Sequence, residues 1–166
     1  MTSPVVRRAR ASDVRGIRAL VEPLVATRVL IAKDTVAYFE SLQQFRVAEL
    51  DDRLVGCGAL HVMWEDLAEV RTLAVDASVL RHGIGGLLLE ALLADARELG
   101  IQRVFCLTFE VGFFAAHGFE VIQDRAVEPA VYAELLRSYD EGVAEFLDLE
   151  RVKPNTLGNT RMLRTL

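Results

Sequence analysis

The sequence has few cysteines, no excess of basic charge and no long apolar segment, and each absence excludes a class of protein. Only two cysteines occur among 166 residues, Cys57 and Cys106, and both lie in apolar, strand-like segments. We therefore expect buried thiols rather than a disulfide or a metal pair, as in a reducing cytoplasm. The formal net charge is -5 and no long basic stripe is present, so a nucleic-acid partner is not expected.

Membrane and metal signals are also missing. No segment approaches the roughly 18 consecutive apolar residues that a membrane-spanning helix needs, and Thr2–Arg8 lacks the apolar stretch of a signal peptide. The three histidines, His61, His82 and His117, are too dispersed for a metal site. We expect residues 1–166 to form a single cytoplasmic domain with no membrane partner and no metal.

What is present is an alternation of helical and strand patterns, which indicates a mixed α/β fold. The predicted strands are Val5–Arg10, Phe45–Leu50, Leu54–Trp64, Ala68–Val75, Gln102–Thr108, Val143–Leu149 and Thr160–Leu166. The predicted helices are Val14–Leu24 (ended or bent by Pro23), one that begins near Asp34 with Val36, Phe39 and Leu42 as its apolar residues, Gly83–Leu99, Gly112–His117 and Pro129–Arg137. The apolar side of the long central helix is predicted to be Leu87, Leu88, Ala91, Leu92 and Ala94, with Gly100 ending it.

The connection between the strand that ends at Val75 and this central helix is rich in glycine. Gly83, Gly85 and Gly86 stand where the helix begins. Backbone amides at a helix N-terminus have no intrahelical acceptor, and the helix dipole adds partial positive charge, so such a turn can hold a pyrophosphate. Glycine lets an anion approach the main chain closely. The sequence therefore predicts an anion site at this turn.

Two short motifs, in this order of elements, resemble the GNAT N-acetyltransferase family. The first is the segment Leu80–Gly85, which corresponds to the family pattern of Gln or Arg, two residues, Gly, one residue, then Gly or Ala. Leu80 replaces the polar first residue, and Arg81 beside it supplies the charge. The second is Phe113–Phe119, which has two aromatic residues, three further residues and then Gly118-Phe119. A dinucleotide-binding fold is disfavoured, because its glycine turn follows the first strand, whereas this turn follows about the fourth.

The resemblance implies a GNAT fold, with a central, mixed, mostly antiparallel sheet that is splayed at the fourth and fifth strands and flanked by helices. It also implies acetyl-CoA as co-substrate. The residues that the resemblance assigns to the coenzyme are Leu73, Ala74, Val75, Arg81, His82, Gly83, Ile84, Gly85, Gly86 and Phe114. A backbone donor aimed at the developing oxyanion is the expected source of catalysis.

A closer resemblance is to the acetyltransferase part of N-acetylglutamate synthases. It is carried by Arg7–Val14, Val29–Ile31, Gly56–Leu60 and Ala68–Val75. It implies transfer of acetyl to the α-amine of L-glutamate, the first step of arginine biosynthesis. L-Glutamine is an equal alternative, because a short pocket with one carboxylate clamp also accepts the amide. GNAT domains commonly pair, so a homodimer is a family-level expectation.

The resemblance assigns Glu69 as the general base. Amino-acid substrates are mostly ammonium ions near neutral pH, so a base must take a proton before the amine attacks, directly or through water. The acid that protonates the departing thiolate stays open among Thr108, Cys106, Tyr139 and water, because Phe114 stands where many GNAT enzymes have tyrosine.

Basic and polar residues are the expected contacts for the amino-acid substrate, since arginine and lysine recognise carboxylates best. The resemblance to the synthases implies Lys33, Thr160 and Arg161 as contacts, and the further candidates are Arg71 and Thr108. Arg71 lies two residues after Glu69 and therefore on the same face of the strand. Two further functions stay open: acetylation of another small amine or of a protein N-terminus, and a non-catalytic acyl-CoA-binding module.

Overall fold

A computed structural model of the protein describes residues 2–166. Its seven strands are hydrogen-bonded in the order β1-β2-β3-β4-β5-β7-β6, mostly antiparallel, with one parallel pair between β4 and β5. The strands are β1 Val5–Arg8, β2 Phe45–Leu50, β3 Arg53–Trp64, β4 Leu67–Val75, β5 Arg103–Thr108, β6 Glu120–Val121 and β7 Thr160–Thr165. The α-helices are α1 Val14–Ala26, α2 Thr35–Glu40, α3 Ile84–Glu98, α4 Val111–Ala116, α5 Pro129–Leu135, α6 Glu141–Phe146 and α7 Lys153–Thr156.

The chain divides into two compact units, and strands β3 and β4 continue from one into the other. The first unit contains the chain up to His61 together with Val70–Leu99, and the second contains Val62–Glu69 and Gly100–Leu166. The expected sheet of mixed direction is confirmed. The parallel ladder between β4 and β5 covers Leu67–Glu69 and Arg103–Phe105 and ends there.

The first unit is built on β1, β2 and β3 with α1 and α3. Pro23 lies inside α1, which continues three residues beyond it to Ala26 rather than ending there. The buried side chains of α3 are Ile84, Leu88, Leu89, Leu92, Leu93 and Ala96. The predicted apolar side of this helix was therefore partly wrong, because Leu87 is 45% exposed and Ala94 is also exposed.

The predicted buried face of helix α2 was also wrong. The predicted inward residues Val36 and Phe39 are 59% and 49% exposed, whereas Tyr38 is buried. The Tyr38 ring packs against Phe45 of β2, with ring centroids 6.1 Å apart. The contact with Phe45 therefore fixes which face of α2 is directed inward.

The second unit is built on β5, β7 and β6 with the C-terminal helices. Val143–Leu149 was predicted as a strand, which is wrong, because α6 covers Glu141–Phe146. The Asp140 carboxylate accepts a hydrogen bond from the Val143 amide at 2.9 Å and caps this helix. Phe146 is fully buried and its ring meets Phe105 edge-on, with centroids 4.9 Å apart.

Glycines in β3 let helix α3 lie close to the sheet, and one of them offers a test of that packing. A Cβ on Gly56 would lie 2.8 Å from Leu88 Cδ1 and 3.1 Å from Ile84 Cγ2. We expect Gly56→Ala to lower the free energy of unfolding by about 1–3 kcal/mol through overpacking. Urea denaturation measures this. The control is Gly112→Ala in α4, where a Cβ meets nothing within 4 Å. The control is expected to be neutral or slightly stabilising, and equal effects would contradict the proposed packing.

Candidate active site

The glycine turn precedes the longest helix of the first unit. Helix α3 begins at Ile84, with Gly83 as its N-cap at φ 76°. The Leu87 amide donates to the Gly83 carbonyl at 3.1 Å, which begins the intrahelical bonding. The amides of Ile84, Gly85 and Gly86 therefore occupy the first turn, where helical geometry provides no acceptor. With the dipole of a 15-residue helix behind them, they form an anion-binding end.

Two left-handed residues shape the approach to this helix end. Arg81 has φ 67° and Gly83 has φ 76°, with His82 between them. Successive amides in such an alternating conformation point into a common concavity, which favours an anion. The structure thus brings together in one turn the predicted coenzyme residues from Arg81 to Gly86.

A short 3₁₀ segment, Ala77–Val79, connects strand β4 to the glycine turn. The Asp76 carboxylate accepts hydrogen bonds from the Ser78 amide at 2.8 Å and from Ser78 Oγ at 2.7 Å. These bonds lower the pKa of Asp76. The Asp76 amide donates to the Val55 carbonyl of β3 at 2.8 Å. The turn is therefore fastened to the sheet at its start.

Strand β4 carries a backbone irregularity that the sequence analysis missed. Thr72 is buried and has φ 54° in the middle of the strand, a conformation that β-branched residues rarely adopt. Its carbonyl accepts a hydrogen bond from Cys57 Sγ at 3.5 Å. Burial raises the pKa of Cys57 to about 12, so the thiol keeps its proton. Threonine favours strands, so its residue type does not indicate this backbone strain. Thr72 immediately precedes Leu73–Val75, the strand segment assigned to the coenzyme by the resemblance.

The predicted base, Glu69, belongs to the second unit and is 4% exposed. It lies in β4 opposite Phe105 of β5. A buried carboxyl group is typical of a tuned acid or base rather than of a solvated surface charge. The burial of Glu69 is therefore compatible with the predicted role of a base.

The candidate proton donors differ sharply in their surroundings. Cys106 of β5 is buried, and burial together with the negative charge of Glu69 raises its pKa, so it stays protonated. Thr108 is buried, and its Oγ1 accepts from the Glu110 amide at 2.8 Å. Tyr139 is fully exposed. Cys106 and Thr108 are therefore the side chains in a protected environment.

Arg161 of β7 has a structural role that the sequence did not indicate. Its guanidinium donates to the carbonyls of Glu145 and Phe146 at 3.2 and 2.7 Å, at the C-terminal end of α6. The same group lies over the rings of Phe105 and Phe146, 5.0 and 5.7 Å from their centroids. Burial lowers the pKa of Arg161. Two of its donor groups are thus engaged by the fold, and its role toward a substrate stays a prediction.

The remaining predicted site residues lie in strands, in a helix and in a loop of the fold. Thr160 pairs with Thr108 across β7 and β5. Phe114 is buried and meets Phe113 and Phe119 edge-on, with centroids 5.1 Å away in each case. Lys33 is exposed, and Arg71 is half-buried in β4. Contacts of these residues with coenzyme or substrate stay predictions.

The described residues, 2–166, carry no disulfide and no metal-binding cluster. Both cysteines are free thiols, as predicted. No group of three or more His, Cys, Asp or Glu side chains in this part of the chain is arranged to hold a metal ion. None of the described helices is long and apolar enough to cross a membrane.

Replacement of Arg161 tests its structural role. We expect Arg161→Met to lower the free energy of unfolding by about 2 kcal/mol or more, because two buried carbonyls lose a charged donor. Arg161→Lys should recover part of the loss. The control is Arg137→Met, since Arg137 pairs with Glu134 on the surface, where an ion pair contributes about 1 kcal/mol or less. Denaturant unfolding measures all three, and equal losses for Arg161→Met and Arg137→Met would contradict the role.

The fold and the turn define a class of protein: a mixed α/β protein with an anion-binding type of helix N-terminus after its fourth strand. The profile of the acetyltransferase (GNAT) family matches residues 24–119, and the chain belongs to this family. The resemblance inferred from the two motifs is thereby confirmed.

Within this family, the chain is similar to named amino-acid acetyltransferases. The amino-acid acetyltransferase of Mycobacterium tuberculosis is 55% identical over 166 residues, covering 98% of this chain and 95% of that protein. A crystal structure from the same organism, in complex with CoA and a second ligand, has a TM-score of 0.94 at 55% identity and covers 98% of this chain and 99% of that one. The amino-acid acetyltransferase of Shewanella oneidensis is 36% identical over 121 residues, which are 72% of this chain and 27% of that protein.

A more distant structure shares the fold. N-acetylglutamate synthase from Neisseria gonorrhoeae, complexed with coenzyme A and N-acetyl-glutamate, has a TM-score of 0.78 at 24% identity. The match covers 100% of this chain and 36% of that one. At this identity the likeness shows the fold alone.

Proposed function

We propose that the protein transfers the acetyl group of acetyl-CoA to the α-amine of L-glutamate or L-glutamine. The observation that carries the proposal is the 55% identity, over nearly the whole of both chains, to a protein named amino-acid acetyltransferase. With glutamate as acceptor, the reaction would be the first step of arginine biosynthesis.

The coenzyme is assigned to the first unit. The first-turn amides of α3 and the left-handed turn from Arg81 to Gly83 offer donors for the coenzyme diphosphate. Leu73, Ala74 and Val75 supply the backbone groups for the pantetheine arm and the thioester. The strain at Thr72 supports this assignment, since strained backbone concentrates at functional sites.

In the reaction the acceptor nitrogen loses two protons and the CoA thiolate gains one, so one proton is released overall. The substrate ammonium gives a proton to Glu69, directly or through water, and the neutral amine attacks the thioester carbon. A C–N bond forms and the C–S bond breaks. The nitrogen gives up its second proton as the amide forms, and the CoA thiolate takes up a proton. Cys106 and Thr108 are the protected side chains available as the donor, with water as the alternative. The proposed contacts for the substrate carboxylates are Lys33, Arg71 and Arg161.

An acceptor screen tests the proposal. Thiol release from acetyl-CoA is measured against the twenty amino acids, polyamines and a model peptide. Turnover with glutamate or glutamine, and not with the other acceptors, supports it. Turnover with polyamine or peptide alone would replace it with acetylation of another amine.

A second candidate, a non-catalytic acyl-CoA-binding module, is favoured by one observation. Phe114 has no hydroxyl, and its ring is buried between Phe113 and Phe119. CoA binding by calorimetry, without turnover on any acceptor in the screen, would support this candidate and overturn the enzymatic proposal.

A further inference from the structure

The Thr108 hydroxyl lies at the C-terminal end of strand β5 and is held in one orientation. Its Oγ1 accepts a hydrogen bond of 2.8 Å from the amide of Glu110, two residues further along the chain. This short turn fixes the side chain, with an oxygen lone pair directed at the amide. The hydroxyl also carries one proton, which an amide N–H cannot accept, so its donor capacity is directed elsewhere.

The O–H of Thr108 requires an acceptor. Thr108 is 7% exposed, so bulk water does little to satisfy this group. Within residues 2–166, Thr108 Oγ1 makes one hydrogen bond, the one that it accepts from the Glu110 amide. A buried O–H that lacks an acceptor costs free energy, and such a group in a native protein calls for a functional explanation. The acceptor is therefore expected in a ligand.

Thr108 and the proposed base lie on opposite faces of the sheet. Glu69 is paired with Phe105, and residues paired across neighbouring strands share a face. Arg161 is paired with Leu107, two residues after Phe105, and lies on that same face. Thr108 is three residues after Phe105, so the alternation of the strand directs it to the other face. Glu69 and Thr108 therefore serve different atoms of a ligand.

Acetyl transfer requires two such groups. In the tetrahedral intermediate, the entering nitrogen and the leaving sulfur occupy different corners around one carbon atom. A base beside the nitrogen therefore leaves the sulfur to a second group. Negative charge develops on the sulfur as the C–S bond breaks, and a buried donor with a fixed orientation stabilises developing charge.

We propose that the Thr108 hydroxyl donates a hydrogen bond to the departing sulfur of CoA and is a catalytic residue. The inference rests on the proposed function, in which the protein transfers an acetyl group from acetyl-CoA. The amine nitrogen bonds to the thioester carbon, and the C–S bond breaks with its electron pair remaining on sulfur. Thr108 keeps its own proton and stabilises the thiolate, which then takes a proton from water.

Cys106 is less suited to this role. It lies two residues before Thr108 on the same face of β5, is 1% exposed and is paired with Met162 inside the β5–β7 ladder. A thiol is a weak hydrogen-bond donor. Burial and the negative charge of Glu69 raise the pKa of Cys106, which weakens the donor further. The hydroxyl at the end of the strand is therefore the stronger donor.

The test compares Thr108→Val, which has the same shape without the O–H, with Thr108→Ser, which keeps it. We expect kcat to fall about ten- to hundredfold in the valine variant, the size of one hydrogen bond to a charged atom, and to stay within about threefold in the serine variant. The KM values should change less than about twofold, because the contact forms only as the C–S bond breaks.

The control for these variants is Thr165→Val. Thr165 is exposed at the opposite end of β7 from the residue that pairs with Thr108. Its replacement should leave kcat within about twofold of the wild-type value. A kcat for Thr108→Val within the same range as the control would overturn the proposal.

A second substrate separates loss of the donor from loss of structure. In the selenoester analogue of acetyl-CoA, the leaving selenolate is a weaker base than a thiolate and needs less stabilisation. The deficit of Thr108→Val relative to wild type is therefore expected to be smaller with the selenoester, by about threefold or more. A distorted or partly folded variant would show equal deficits with both substrates, and that result would contradict the role.

A crystal structure of the wild type with CoA covers the case in which the valine variant does not fold. The CoA sulfur is expected in hydrogen-bonding contact with Thr108 Oγ1. A sulfur that contacts other groups and not Thr108 would refute the inference. Absence of wild-type turnover on every acceptor would instead refute the proposed function, so the two failures are distinguishable.

Discussion

Replacing Glu69 with glutamine is expected to lower kcat for amino-acid acetylation about 10²- to 10⁴-fold at neutral pH. This is the usual range for loss of a general base. Glutamine has the shape of glutamate but cannot take a proton from the substrate ammonium. Since the coenzyme is assigned to other residues, the affinity for CoA should stay within about twofold, because the change removes no diphosphate donor. Steady-state kinetics with acetyl-CoA and the preferred acceptor measure the first effect, and calorimetry measures the second.

The pH profile separates loss of a base from loss of structure. Without a base, the variant depends on amine that is already neutral, and the neutral fraction rises about tenfold per pH unit below the amine pKa. The rate of Glu69→Gln should therefore climb with pH toward the wild-type rate. A merely misfolded protein would show a low rate at every pH.

The control is Glu65→Gln. Glu65 is exposed and lies just before β4, two residues upstream of its start at Leu67. It carries the same charge as Glu69 outside the protected environment, so its replacement should leave kcat within about twofold. A kcat for Glu69→Gln within threefold of wild type would refute the role of Glu69.

Much of the turn could be predicted from the sequence, because its chemistry is local. Glycines after an apolar strand and before an apolar helix have few other structural uses. The structure has the helix at Ile84–Glu98, within one residue of the prediction at each end. Gly100, at φ 78°, follows the helix as the pattern indicated.

Contacts between distant segments could not be predicted in the same way. The spacing of Val143, Ala144, Phe146 and Leu147 fits a helix as well as an apolar strand, and the Asp140 cap decides between them. The structural role of Arg161 could not be predicted either, because its hydrogen bonds to the end of α6 join residues that are 15 and 16 positions apart. A basic residue in a polar segment indicates a ligand contact and a structural donor equally well.

The second large effect is expected from replacing the glycines at the two ends of helix α3, which have nearly the same backbone conformation. Gly83 precedes the helix at φ 76° and Gly100 follows it at φ 78°, and a Cβ at either position meets nothing within 4 Å. A valine at either position is forced into a left-handed conformation, which costs about 1–3 kcal/mol. Gly83→Val and Gly100→Val should therefore lower the free energy of unfolding by similar amounts, measured in urea.

Only the variant at Gly83 should affect the coenzyme. Its side chain stands among the amides proposed to hold the diphosphate, and loss of one charge-assisted hydrogen bond costs about 1.5 kcal/mol or more. The KM for acetyl-CoA should therefore rise at least about tenfold in Gly83→Val and stay near the wild-type value in Gly100→Val. An equal rise in both would mean that helix strain alone weakens binding, and no rise in either would mean that the coenzyme lies elsewhere. Because the strain is matched, the difference between the two KM values isolates what the helix N-terminus contributes to binding.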